Sequence, residues 1–514
     1  MKPKFFLTTP IYYVNGAPHI GHAYTGIAAD VMARFKRMDG YDVFYLTGTD
    51  EHGQKVEKAA AEAGMAALTY VDGISAQFRA LSQTLNLSND DFIRTTEARH
   101  IRASQELWRR VAAAGDIYLG HYEGWYAVRD EAFYGDDELT KLPDGTRMAP
   151  TGVPVEWVRE PSYFFRLSQW ADRLLAFYEE NPEFLAPVST RNEVISFVKG
   201  GMHDLSVSRT SFKWGIPVPD DAAHVMYVWF DALTNYLTAT GFPDDHAERA
   251  AFWPADLHMV GKEITRFHCV YWPAFLMSAG LKPPKRVFAN GWLTVDGQKM
   301  GKSMGNAIDP NALAARYGLD PLRFFLMREI PFGQDGDFSA RALVQRLNGE
   351  LANELGNLAQ RSLSLVARHC EGRLPVRGAV TEEDAALLAQ AEALPGKLRA
   401  SLDRQAMGEA LETVWQVVRA ANAYIDRQAP WTLAKTDRAR MASVLRVLAD
   451  VLRAVATVLQ PFMPGSMARM LDQLGVAVDQ RSLADLTKPV PDATVLPAPS
   501  AVFPRFVEAE AGTA

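Results

Sequence analysis

Short apolar runs alternate with helical stretches over the first part of the chain. Phe5-Phe6-Leu7-Thr8 reads as a strand, Thr25–Met38 carries a helical pattern, and Val43-Phe44-Tyr45-Leu46 reads as a strand again. That alternation predicts a parallel sheet wrapped by helices. From about residue 118 to 160 the texture turns to Gly, Pro and Asp, as in Tyr134-Gly135-Asp136-Asp137 and Pro143-Asp144-Gly145, which predicts a small β-containing insertion. Strand-like segments return at Ala223–Phe230, Leu257–Val260 and Val287–Ala289, so the sheet is expected to resume there. Beyond about residue 340 the chain reads helical. Leu445, Leu448, Leu452, Val455 and Leu459 recur at alternating steps of three and four, which puts them on one helix face and predicts an all-α bundle. Pro461 and Pro464 are expected to end that helix, and the Pro-rich stretch 489–504 predicts an extended tail on the surface.

Composition narrows the class. A chain of 514 residues exceeds one domain of roughly 100–200 residues, so several are expected. Hydrophobic residues at 48% and charged residues at 22% fit a globular protein, neither fibrous nor disordered. Only two cysteines, Cys269 and Cys370, exclude a disulfide framework and any Cys-rich zinc cluster made by this chain. The net charge of −7 argues against indiscriminate binding to a phosphate backbone and leaves room for a local basic patch. From residue 351 onward acidic and basic residues balance at 18 each, so the acidic excess lies in the first 350. No apolar run reaches the ~20 residues that span a bilayer. At the N-terminus Thr8-Thr9-Pro10 cuts the apolar stretch too short for a secretory signal. A cytoplasmic protein with no membrane partner is expected.

Two constellations carry chemistry. Pro18-His19-Ile20-Gly21-His22 follows a strand and opens a helix, where free N–H groups and the positive dipole end suit a phosphate and two imidazoles can donate to phosphoryl oxygens. Taken alone, two histidines three apart read equally well as a capped helix start. Lys299-Met300-Gly301-Lys302-Ser303 follows strand-like Val287–Ala289 and the turn Asp296-Gly297; its lysines and hydroxyl suit a polyphosphate, and its glycine permits movement. Taken alone, this loop reads as a solvated basic loop.

Together these motifs resemble the HIGH and KMSKS signatures of class I aminoacyl-tRNA synthetases. The segments Pro10-Ile11-Tyr12-Tyr13-Val14-Asn15-Gly16, Gly48-Thr49-Asp50-Glu51-His52-Gly53, Tyr227-Val228-Trp229-Phe230-Asp231-Ala232 and Gly261-Lys262-Glu263-Ile264-Thr265-Arg266-Phe267-His268 look like the methionyl-tRNA synthetase family. So do Asn357-Leu358-Ala359-Gln360-Arg361 and Pro430-Trp431, and the resemblance covers nearly the whole chain. It implies an α/β, Rossmann-like nucleotide-binding catalytic domain with a parallel sheet, an inserted connective domain and a C-terminal all-α anticodon-binding bundle. The expected limits are 1–117 and 223–290 for the two catalytic halves, 118–222 for the insertion, 291–345 for the lysine-loop and stem-contact region, and 346–514 for the bundle with its tail.

The implied reaction joins L-methionine to ATP and passes the methionyl group to the 3′-terminal adenosine of tRNA(Met), initiator and elongator. His19, His22, Lys299 and Lys302 would be catalytic. The ATP contacts would be Pro18, His19, Gly21, His22, Gly261, Glu263, Lys299, Met300, Lys302 and Ser303, with Mg2+ carried by ATP. The methionine pocket would comprise Ile11, Tyr13, Asp50, Trp229, Leu233, Tyr236, Ile264, His268 and Trp272, where a carboxylate can pair the ammonium and aromatic rings suit a thioether. By spacing alone, Trp229 with Tyr236 and His268 with Trp272 read as helix core. Asn357, Arg361 and Trp431 would read the anticodon by hydrogen bonding and stacking, Trp431 in a turn after Pro430. On its own Trp431 reads as a buried bundle residue.

The chain departs from the family pattern at Gly301, where a serine is usual, and at Tyr126-Ala127-Val128-Arg129-Asp130, where many relatives carry zinc-binding cysteines. A zinc-free knuckle held by packing is therefore expected. A chain that stops soon after the bundle, without a further dimerising domain, is expected to be a monomer. A nucleotidyltransferase of the same superfamily would leave the helical C-terminal region without a role. A non-catalytic RNA-binding paralogue would be marked by decay of His19, His22, Lys299 or Asp50, and all four are present.

Overall fold

The strand Asp42–Asp50 is buried at eight successive positions, Val43 to Asp50, and opens with the apolar run Val43-Phe44-Tyr45-Leu46. A strand covered on both faces has this continuous pattern, and parallel sheets are the usual setting for it. The structure, a computed structural model, describes residues 2–130, 132–244, 246–295, 297–299 and 308–508. Among them the main sheet runs in the order Leu185–Ala186, Val287–Asn290, Leu257–Gly261, Lys4–Thr8, Asp42–Asp50, Tyr12–Tyr13, with Asp91–Arg94 also paired to Asp42–Asp50. Its pairings are parallel: Leu7 opposite Leu257, Met259 opposite Phe288, Gly48 opposite Ile93. Gly48 is a steric requirement, since a Cβ there would lie 2.1 Å from the Ile93 carbonyl oxygen.

Two compact units result, each assembled from separated segments. One comprises Lys4–Pro18 and Phe44–Asn290; the other comprises Met1–Pro3, His19–Val43 and Gly291–Ala514. In the first unit the sheet is followed by the insertion. Its frame is a long antiparallel hairpin, Ile117–Ala127 against Glu156–Phe165, in unbroken register from Ile117 opposite Phe165 to Tyr126 opposite Glu156. Ala127, Ala149, Val153 and Val155 form a small buried cluster at its tip, flanked by Trp125, Tyr134 and Leu139.

The expected strand Ala223–Phe230 is only half right. Asp221–Met226 is a strand, but it pairs antiparallel with Ser208–Arg209 and Pro217–Val218, outside the main sheet. The chain then turns into the helix Val228–Leu233, closed by Phe230 and Asp231 N–H bonds to the Tyr227 carbonyl. A short apolar run cannot by itself distinguish a strand from a buried helical turn.

In the second unit the helix Ile20–Met38 starts five residues earlier than the apolar pattern indicates, because His19 caps it. Asp30 on this helix is fully buried and accepts from Arg323 Nη2 at 2.6 Å, itself fully buried, and from Arg34 Nε at 2.7 Å. Arg323 also donates to the Phe462 and Pro461 carbonyls, at 3.0 and 2.8 Å. The bundle centres on Arg438–Leu459. The expected face is buried, and so are Val447, Val451, Ala454 and Val458, so this helix is enclosed on all sides. The helix ends before Pro461 as predicted, whereas Pro464 opens the next helix, Pro464–Gln473, in its first turn. There the missing N–H costs nothing. The tail is extended and packed: Leu374 N–H bonds Thr494 O, Leu496 N–H bonds Gly372 O, and Val490, Leu496, Val502 and Phe503 are buried.

Removing the partner of a buried charge is far more costly than removing the pair. Arg323→Met is expected to destabilise the chain by about 3–5 kcal/mol, and the double variant Asp30→Leu/Arg323→Met to recover part of that loss. Guanidinium unfolding midpoints of the three proteins measure both.

Candidate functional site

Ligands of open α/β sheets collect at the carboxyl ends of the strands. In the first unit Lys4–Thr8, Asp42–Asp50 and Leu257–Gly261 lie in one sheet, and Ile11, Asp50, Gly261 and Glu263 sit at or just past their carboxyl ends. Tyr13 stands opposite Asp50 in register, and the Val14 N–H bonds the Asp50 carbonyl at 3.2 Å. Ile11, Leu233, Tyr236, Ile264 and Trp272 belong to one apolar cluster. Trp229, half-buried, stacks on Phe267 with ring centroids 3.5 Å apart and planes 11° from parallel. Leu233 is buried nearly completely, and so are Tyr236, His268 and Trp272, as the core reading of their spacing requires, while Trp229, which that reading also put in the core, is half-buried like Ile11, Tyr13 and Ile264.

His268 sits on a widened, π-helical turn, Phe267–Tyr271, an irregularity often found at functional sites. Its Nδ1 lies 3.0 Å from the Ile264 carbonyl, which can only accept, so the proton is on Nδ1. Nε2 then accepts the Tyr236 hydroxyl at 2.7 Å. Burial lowers the His268 pKa to about 4 in spite of the Ile264 bond, and burial likewise raises the Tyr236 phenol. Both groups are neutral at physiological pH.

The second unit carries the histidine pair. The Gly21 N–H donates to His19 Nδ1 and the His19 N–H to His22 Nδ1, each at 3.1 Å, a reciprocal cap. The two rings stack with centroids 3.8 Å apart. Since both Nδ1 atoms accept from the backbone, each ring carries its proton on Nε2. The cap and the chemistry proposed for the motif are therefore compatible, because one nitrogen of each ring holds the helix and the other remains an N–H donor. The helix's Ile20 N–H bonds the carbonyl of Ile308, the first described residue after the lysine motif. Lys299 ends a two-stranded pairing with Thr294 and Val295, its backbone alone being described. Met300, Lys302 and Ser303 lie outside the described residues.

In the bundle, Asn357 is exposed and Arg361 half-buried on the helix Asn357–His369. Trp431 is 42% exposed, which rules out the buried-core reading. It lies in the first turn of a helix, Pro430–Thr436, where a loop turn was expected; Pro430 fits the first helical position after Ala429 in left-handed backbone at φ 42°. The Arg361 guanidinium is 5.3 Å from the Trp431 ring centroid and bonds Asp426 at 2.6 Å.

Helical spacing does not single out one polar group of the first unit. Asp231 is fully buried and bonds His52 Nδ1 at 2.6 Å and His100 Nε2 at 2.7 Å. Burial alone would raise its carboxyl; the two histidines outweigh that and hold it down at about 2. The signal was present as a lone carboxylate inside the apolar run Tyr227–Leu233. Among the described residues no group of three or more His, Cys, Asp or Glu could hold a metal, and no helix is long and apolar enough to cross a membrane.

The His268 shift fixes a pH dependence. The folded pKa lies below the ordinary 6.5, so the unfolded chain takes up the proton first as pH falls. Stability is then lost from about pH 6.5 down to about pH 4, by up to about 3 kcal/mol. The thermal midpoint should fall over that window, and less steeply in His268→Gln.

The family described as tRNA synthetases class I (M) matches residues 5–363, and the anticodon binding domain of methionyl tRNA ligase matches residues 374–512. The methionine–tRNA ligase of Brucella suis biovar 1 is 56% identical over 510 residues, which is 99% of each chain. That of Mycobacterium bovis is 56% identical over 512 residues, 98% of each. The solved structure of Mycobacterium tuberculosis methionyl-tRNA synthetase in complex with methionyl-adenylate is similar with a TM-score of 0.96 at 55% identity, covering 98% of this chain and 100% of that one. With both family matches in chain order and relatives matched end to end, the chain belongs to the methionyl-tRNA synthetase family of class I.

Proposed function

We propose that the chain is an ATP-dependent methionine–tRNA ligase. The methionine carboxylate attacks the α-phosphorus of ATP, pyrophosphate leaves, and the mixed anhydride methionyl-adenylate forms. A hydroxyl of the terminal ribose of tRNA(Met) then attacks the carbonyl carbon and AMP leaves. The end-to-end match to a synthetase solved with methionyl-adenylate carries this reading.

Positioning and charge stabilisation supply the catalysis, with no covalent enzyme intermediate. His19 and His22 offer Nε2–H donors to the phosphates, and Gly21 leaves room for adenine. Lys299 and Lys302, with Met300 and Ser303, bind the departing pyrophosphate. Gly261 and Glu263, where the strand Leu257–Gly261 ends, face the ribose. Magnesium belongs with the ATP phosphates and arrives with the substrate. Asp50 pairs the methionine ammonium, while Ile11, Tyr13, Trp229, Leu233, Tyr236, Ile264, His268 and Trp272 enclose the side chain.

Anticodon reading falls to Asn357, Arg361 and Trp431. The exposure of Trp431 beside the Arg361 guanidinium supports stacking of a splayed base. Initiator and elongator tRNA as substrates, a monomeric state, cytoplasmic location and an insertion held by packing without zinc are the finer parts of the same reading. The buried cluster of Ala127, Ala149, Val153 and Val155 supports the last.

ATP–pyrophosphate exchange with each of the twenty amino acids, without tRNA, tests the activity. Methionine alone should support exchange, and His22→Ala should lower it by about 100-fold or more with the fold retained. Exchange with another amino acid, or an unchanged rate in the variant, contradicts the assignment. Trp431→Ala should leave exchange intact and lower kcat/KM for tRNA charging by roughly tenfold or more, the equivalent of one lost base stack. Equal loss in both reactions would remove Trp431 from the anticodon surface.

A further inference from the structure

Two segments assigned above to methionine recognition are joined by a carboxylate that takes no part in that assignment. Asp231 lies two residues after Trp229 on the helix Val228–Leu233, and His52 lies two residues after Asp50 where the strand Asp42–Asp50 ends. Asp231 Oδ2 accepts from His52 Nδ1 at 2.6 Å. Its Oδ1 accepts from His100 Nε2 at 2.7 Å, on the helix Ala98–Ala113. The His100 Nδ1 lies 3.0 Å from Thr238 Oγ1, in the helical turn that follows. Asp231 and His100 are fully buried, and His52 is 5% exposed.

The loop on the Asp50 side is held at each following residue. Glu51, fully buried, takes Arg94 at 2.7 and 3.0 Å, Thr49 Oγ1 at 2.7 Å and Thr96 Oγ1 at 2.6 Å. Trp214 Nε1 donates to the Glu51 carbonyl at 2.6 Å, and its ring meets His52 edge-on at 5.4 Å. The Gly53 N–H closes on the Trp214 carbonyl at 3.0 Å. The loop is thus rigid in itself, and the His52–Asp231 bond ties it directly to the helix that carries Trp229.

A buried carboxylate is an inefficient way to stabilise a fold, because apolar residues of equal volume do as well or better. It does impose a geometry, because two N–H donors must reach its two oxygens. We propose that Asp231, through His52 and His100, is a positioning residue for methionine recognition: it fixes the Asp50 carboxylate and the Trp229 indole at a set separation, so that the ammonium and thioether ends of one substrate are gripped together. This rests on the reading of Asp50 and Trp229 as methionine contacts. Displacements of about 1 Å in such a site can cost up to about 100-fold.

The test is ATP–pyrophosphate exchange by the full chain, with KM for methionine and for ATP measured separately. Asp231→Asn puts an NH2 group where one oxygen accepted a proton. It should raise KM for methionine about tenfold or more and leave KM for ATP within twofold. His52→Ala should do the same. His52→Asn should restore most of the loss, because the Asn Nδ2 stands where the His Nδ1 stood; His100→Gln should likewise be mild, because the Gln Nε2 replaces the His Nε2. A merely structural role would not make recovery depend on which nitrogen is replaced. The proposal is overturned if His52→Ala leaves KM for methionine within twofold, or if His52→Asn is no better than His52→Ala, and this pair decides the matter even where Asp231→Asn fails to fold. Asp50→Asn and Trp229→Ala separate the two layers. If neither raises KM for methionine, the pocket assignment fails and this inference falls with it; if both raise it while His52→Ala does not, only the inference fails.

Discussion

A charge taken out of water must find a partner of fixed geometry, and both units of this protein are joined internally at such points. In one, Asp30 on the helix that carries the histidine motif meets Arg323, 293 residues later. In the other, His52 meets Asp231 across 179 residues, and Glu51 meets Arg94 across 43. Apolar contacts between these elements supply more free energy, yet they tolerate sliding and repacking. Buried pairs do not, since a shift of one ångström leaves an unpaired ion in a medium of low dielectric. Elements far apart in sequence are thus brought into one register, and the loops at their ends inherit that register.

The same economy appears at the start of the helix Ile20–Met38. A helix N-terminus leaves backbone N–H groups without intrahelical partners, and a side chain normally has to supply them. Here two imidazoles do so through Nδ1, and their protons are thereby placed on Nε2. A serine or aspartate would cap the helix equally well but carries no ring N–H. A capped helix start and the proposed phosphate contact through Nε2 are therefore compatible readings of the same two residues.

What the sequence disclosed, and what it hid, follows from the range of the forces involved. The strands Lys4–Thr8, Leu257–Gly261 and Val287–Asn290 and the helix Arg438–Leu459 were legible because burial writes itself into local periodicity. The Tyr227–Leu233 segment was not, because its helical turn is set by bonds to the Tyr227 carbonyl and by the demands of Asp231, and neither has a period. Trp431 illustrates the reverse error: composition favours burying an indole, whereas its place in the first turn after Pro430 leaves it exposed. Asp231 itself was overlooked because its partners, His52 and His100, are distant in sequence, and no spacing rule connects them. Motif resemblance proposed as site residues some that periodicity assigns to core, Tyr236 and Trp272 among them.

The buried polar groups of the first unit also bear on selectivity. Tyr236 donates its proton to His268, and His268 donates its own to the Ile264 carbonyl, so that the two side chains satisfy each other and end on backbone. Near neutral pH neither carries a charge, because burial holds the phenol up and the imidazole down. On the methionine reading, Tyr236 and His268 then offer a thioether aromatic surface and polar atoms already engaged with each other, while the Trp272 Nε1–H is buried without a hydrogen-bond partner among the described residues. Where its polar atoms are already engaged, the wall discriminates by shape, within the about 1–3 kcal/mol that a methylene is worth, whereas an unmet polar atom rewards ligands bearing a hydroxyl or amide. On the same reading the Asp50 carboxylate meets the ammonium separately, and shape selection at the wall is useful only if that carboxylate and the Trp229 ring hold their distance.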